Sequence, residues 1–89
     1  MKPTKVLTYR VIIKKDGNSY HGFVPLLSGC HTDGKTIEET QSNLRDAITL
    51  HLQVMRDENM DIPHESGVEM IESFYTASVF GKNAQLAYV

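Results

Sequence analysis

The sequence has no tryptophan, one cysteine and three prolines in 89 residues. The lone Cys30 excludes an intrachain disulfide, and with it the class of disulfide-stapled secreted miniproteins. No apolar run approaches the ~18 residues needed to cross a bilayer. Tyr9 and Arg10 interrupt the one apolar stretch near the start, which makes it a poor secretory signal. Charge of either sign is in short supply too: nine Lys and Arg stand against eleven Asp and Glu, a formal net charge of −2. The basic excess typical of nucleic-acid-binding domains is therefore missing. What is present, 40% apolar and 22% charged residues, suits a soluble globular chain. These features predict one cytoplasmic domain over 1–89, with no membrane contact and a core thin enough to gain from self-association.

The chain divides into four pieces. Over 6–14, Leu7, Tyr9, Val11 and Ile13 recur with the two-residue period of a strand face. The run Lys15-Asp16-Gly17-Asn18-Ser19 is a turn signal, and a second strand is expected over 20–25, ended by Pro25. On it Tyr20, Gly22 and Val24 share one face, and His21 and Phe23 share the other. A connector over 25–35 bends at Gly29 and Gly34, with a short third strand expected over 30–33. Thr36-Ile37-Glu38-Glu39 fits a capping box, Thr36 capping a helix and Glu39 reaching back to its amide. At ~100° per residue, Ile37, Leu44, Ile48 and Met55 form a stripe flanked by Thr40, Ala47, His51 and Leu52. Leu50 and Val54 widen the apolar arc beyond what one buried face needs, which signals a second contact with a partner or another copy. A polar linker over 58–67 leads to an expected strand over 68–79, a turn at Gly81-Lys82-Asn83, and an apolar tail over 84–89. The order predicts an α+β, two-layer βββαβ domain, with one long amphipathic helix on one face of an antiparallel sheet.

The titratable residues do not assemble a recognisable catalyst. Four histidines accompany the cysteine, but no second cysteine exists and no two histidines stand four apart on the helix, so no zinc pattern is complete. Cys30 and His31 are neighbours on an extended segment and point to opposite sides, which does not suit a thiol–imidazole pair. The acids Asp16, Asp33, Glu38, Glu39 and Asp46 have ordinary roles in turns, caps and solvated faces, so a magnesium nuclease built on Asp16 or Asp33 ranks last. No catalytic residue, metal ligand or cofactor is predicted.

The middle of the chain resembles a known family. YRVIIKK over 9–15, DGNSYHGF over 16–23, VPLLSGCH over 24–31 and TDGKTIEE over 32–39 run in the order seen in HicB-type antitoxins, and NLRDAITLHL over 43–52 continues the match. Each motif is weak alone; the ordered set is fairly specific. The resemblance implies a partial ribonuclease-H-like fold without its catalytic acids. It also implies an antitoxin that binds and masks a small basic mRNA-cleaving toxin of the HicA type. Many members carry a C-terminal DNA-binding segment. Here the residues after the linker read as strand, so a DNA-binding domain is not expected. Two other roles stay open: an autoregulator of its own operon, and an orphan of the fold with no toxin. Contact with a partner is expected from His21, Phe23, Pro25, Leu26, Leu27, Cys30, His31, Leu50 and Val54, in a protein that forms homo-oligomers.

Overall fold

The computed structural model describes residues 5–81. Its element order is β1 (Ile12–Asp16), β2 (Ser19–Phe23), β3 (His31–Gly34), α1 (Ile37–Asp57) and α2 (Thr76–Phe80). The three strands form one antiparallel sheet in the order β1-β2-β3. The hairpin turn is two residues long: Asp16 pairs with Ser19, and Gly17 supplies a φ of 61° at the first loop position. The Ser19 hydroxyl donates to the Asp16 carbonyl at 3.1 Å and ties the turn from inside.

The first strand is shorter than the alternation over 6–14 suggests. Its last ladder pair is Ile12 with Phe23, because the chain leaves the sheet at Val24 to build a closed loop. The Val24 amide donates to the Cys30 carbonyl at 3.1 Å, Leu27 donates to Val24 at 3.1 Å, and Cys30 donates to Leu27 at 3.0 Å. Residues 5–11 are left without a β2 partner. Gly29, at a φ of 81°, lets the loop close. The same loop turns Val24, Leu27 and Cys30 inward, and these three with Leu44 are the fully buried apolar core. Tyr9, Ala47, Ile48, Leu52 and Met55 pack around them. Burying one such Val or Leu side chain stabilises a fold by about 1.5–3 kcal/mol, so a core of this size leaves little margin.

Helix α1 begins as expected. The Thr36 hydroxyl accepts from the Glu39 amide at 3.0 Å, Glu38 and Glu39 sit in the first turn, and Arg56 sits in the last. The reciprocal bond from the Glu39 carboxylate does not form among the described residues, so the cap is half of a capping box. The helix lies on the sheet through an unusually close contact. Thr40 is completely buried, and its hydroxyl donates to the Thr36 carbonyl at 2.8 Å. Opposite it stand Gly22 and Gly34. A Cβ on Gly22 would lie 2.9 Å from the Thr40 Cγ2, and one on Gly34 would lie 2.7 Å from the Thr40 amide nitrogen. Asn43 adds a lateral tie, its side-chain amide donating to the Asp33 carbonyl at 3.0 Å.

After α1 the chain turns at Asn59, whose φ is 56°, and crosses to the segment before β1. The Glu65 amide donates to the Thr8 carbonyl at 2.8 Å, and the Glu65 carboxylate accepts from the Arg10 amide at 3.1 Å. Arg10 also faces Glu69 at 3.5 Å. The expected strand over 68–79 does not form. Those residues have no ladder partner among the described residues, and the short helix α2 occupies Thr76–Phe80 instead. Glu65 and Glu69 hold the start of this segment against Thr8 and Arg10, in the stretch before β1, so it does not come into register with either outer edge of the sheet. The architecture is therefore βββα, an α+β two-layer fold with the long helix on one face. The expected tail over 84–89, and Lys82 and Asn83 of the expected turn, lie outside the described residues. Among the described residues, no helix is long and apolar enough to cross a membrane.

Two expected outcomes follow from this packing. Gly34→Ala places a methyl group against helix backbone that cannot step aside, and should cost about 1–3 kcal/mol. Gly22→Ala meets a side-chain methyl that can shift and should cost less, so the urea midpoint should fall further for Gly34→Ala. An unchanged midpoint for Gly34→Ala would contradict the close approach. The second outcome concerns Cys30, where burial pushes the thiol pKa up and lowers the thiolate fraction at neutral pH. Its reaction with a disulfide reagent should be at least tenfold slower in the folded protein than in denaturant; equal rates would place the thiol at the surface.

Candidate functional site

The helix covers one sheet face, and among the described residues nothing covers the other. The registers Ile12–Phe23–His31 and Lys14–His21–Asp33 run across the three strands on that open face. Gly22, paired with Ile13 and Thr32, lies on the covered face. On the open face three rings form a row. His21 stacks on Phe23 with centroids 6.1 Å apart and an interplanar angle of 26°, and it meets His31 at 5.4 Å and 42°.

Asp33 orients the middle ring, its carboxylate lying 2.9 Å from His21 Nδ1. With the carboxylate ionised, Nδ1 carries the proton and donates. Asp33 is itself placed by the Asn43 bond from α1, so the helix on the covered face fixes a ring on the open one. The His21 and Asp33 side chains are about a third and two-thirds exposed, so the pair is a wet surface contact of modest strength.

A second surface lies along the flank of the helix. Leu26, Leu27, Cys30 and His31 form one wall of a groove of about 640 Å³; Ala47, Leu50, His51, Val54 and Met55 form the other, and Met60 and Pro63 close its end. Leu26, Leu50, Val54 and Met60 show much of their surface to solvent. The apolar arc on α1 beyond the width of one core is thus real, and it faces this groove.

The nine sequence-predicted contact residues divide between these surfaces. His21 and Phe23 stand in the ring row. Leu26, Leu50 and Val54 edge the groove, and Leu27 and Cys30 lie at its floor, inside the core. Pro25 is exposed at the end of β2. His31 belongs to both surfaces and joins them. Sequence reasoning did not single out Asp33 and Asn43 for the ring row, nor Met60 for the groove. The two-residue period does put His31 and Asp33 on one face of β3. Their meeting with His21 depends on the cross-strand register, which that period does not contain.

Comparison with known proteins agrees with this architecture. The family model for HicB-like antitoxins of bacterial toxin-antitoxin systems matches residues 9–79. A UPF0150 protein of Synechocystis is 36% identical over 64 residues, covering 71% of this chain and 81% of its own. A UPF0150 protein of Thermoplasma acidophilum is 37% identical over 65 residues, covering 72% and 94%. Among solved structures, the N-terminal domain of the antitoxin HicB of Burkholderia pseudomallei superposes with a TM-score of 0.56 at 29% identity, covering 65% of this chain and 69% of that one. With most of its length matched by the family model and its βββα fold shared with an antitoxin domain, this chain belongs to the HicB-like antitoxin family of bacterial toxin-antitoxin systems.

Proposed function

We propose that the protein is an antitoxin that binds a small basic mRNA-cleaving toxin of the HicA type in the cytoplasm and silences it by covering it, with no catalysis of its own. The observation that carries this reading is the ring row His31–His21–Phe23 on a sheet face with no covering layer among the described residues. The central ring, His21, is oriented by Asp33, itself placed by Asn43, so it loses little freedom on docking, which lowers the cost of binding. The row is mixed in character, with Lys14 and Asp33 beside Ile12 and Phe23. Such a surface tolerates water when free and still offers aromatic anchors, which suits a partner that must also be released. A net charge of −2 favours encounter with a basic mate.

The groove has the opposite character. Leu50 and Val54 with Leu26 and Met60 make a largely aliphatic surface, the kind that permanent contacts cover. We assign this flank to self-association and the open sheet face, with Pro25 at its rim, to the toxin.

Co-expression with a HicA-type toxin should restore growth of a bacterial host. Alanine at His21, Phe23 and His31 together should weaken toxin binding at least a hundredfold by calorimetry and abolish rescue. Gln53→Ala, on an exposed helix position, should leave both unchanged. Full binding by the triple variant would remove the sheet face from the toxin contact, and failure of the unaltered protein to bind would remove the antitoxin role.

A further inference from the structure

Residues 66–81 carry Val68, Met70, Ile71, Phe74, Tyr75, Val79 and Phe80, all more than half exposed; Ile71 is 96% and Tyr75 85% exposed. Among the described residues, with a fully buried apolar core of four, more large apolar side chains lie outside than inside. At the area of such side chains, these seven present on the order of 900 Å². A standard interface removes ~800 Å² from each partner, so one such arm is large enough to form one.

We propose that this arm is exchanged between two copies: the apolar side chains of 68–80 from one copy cover the Leu26, Leu50, Val54 and Met60 groove of the other, and the reverse contact forms by two-fold symmetry. Three observations favour a second copy over the molecule's own groove or a foreign partner. The arm is tethered by Glu65 to Thr8 and by Glu69 to Arg10. Thr8 borders the Gln41, Arg45 and Thr49 flank of α1, whereas the groove uses the Ala47, Leu50 and Val54 flank. The arm therefore sets out on the side of the helix away from its own groove. Beyond the Glu69 tether the extended residues 70–75 reach about 20 Å and α2 adds about 7 Å, enough to lie along a groove on a neighbouring copy. Finally, arm and groove are both apolar, both exposed and present in equal number, so one reciprocal contact covers both and leaves neither as an aggregation-prone patch.

This inference rests on the self-association proposed above and not on the toxin contact. In full-length protein with Cys30→Ala, two single-cysteine variants are mixed under mild oxidation, one carrying Leu50→Cys and the other Tyr75→Cys. A covalent heterodimer is expected, in a preparation whose light-scattering mass is that of a dimer. Leu50→Glu with Val54→Glu on solvent-exposed positions should raise the dimer dissociation constant at least tenfold while leaving the far-ultraviolet circular dichroism unchanged. A monomeric mass at tens of micromolar would overturn both the exchange and the self-association. A dimer that yields no Leu50–Tyr75 cross-link, or a chain with both cysteines that closes internally as a monomer, would overturn the exchange alone. Toxin binding measured on the same variants reports separately on the toxin reading.

Discussion

Helix α1 reaches the sheet at Thr40, and it can do so only because Gly22 and Gly34 present no side chain there. With the methyl and amide of Thr40 seated against two glycines, Leu44 drops onto Val24, Leu27 and Cys30 and closes the small core. The same contact decides which sheet face is covered. Once Gly22 and Gly34 face the helix, period-two alternation forces His21, Phe23, His31 and Asp33 to the other side. The open face and its ring row are thus a consequence of where the glycines fall.

The two exposed surfaces differ in a way that matters for function. The ring row is half-exposed and partly charged, and it is held from behind by the chain Asn43–Asp33–His21. The helix flank is mainly apolar, with His51, Glu58 and Asp61 also lining it, and among the described residues no hydrogen-bonded chain of this kind stands behind it. A protein proposed to neutralise another by covering it needs a surface that is stable when bare, and the sheet face meets that requirement. The aliphatic flank and the arm over 66–81 do not, which is why we assign them to a contact that is always made. A thin core points the same way, since burial between copies adds to a stability that one chain supplies only marginally.

Much of this was legible from residue order. Gly17 between two alternating runs marks the hairpin, and Thr36 with Glu38 and Glu39 marks the helix start, because turns and caps are decided by a few adjacent residues. Leu50 and Val54 stood out for a simple angular reason: they fall outside the arc one core can use. Boundaries set at long range were not legible. The first strand stops at Ile12 because Val24 is drawn into the loop closed by Cys30, and nothing in residues 6–11 records that. The segment over 68–79 has the composition of a strand, yet composition does not place it alongside an edge: Glu65 and Glu69 tie it to Thr8 and Arg10, before β1. Of the ring row, His21, Phe23 and His31 were marked as contacts, while their stacking, and the roles of Asp33 and Asn43, depend on strand register and helix placement.

The central claim is that this protein acts as a cover. It is tested most directly by titrating it into a HicA-type toxin while following cleavage of a labelled RNA. Cleavage should fall linearly to zero at a fixed molar ratio, and the protein alone should leave the RNA intact. Undiminished cleavage at saturating protein, or RNA cut by the purified protein without toxin, would contradict it.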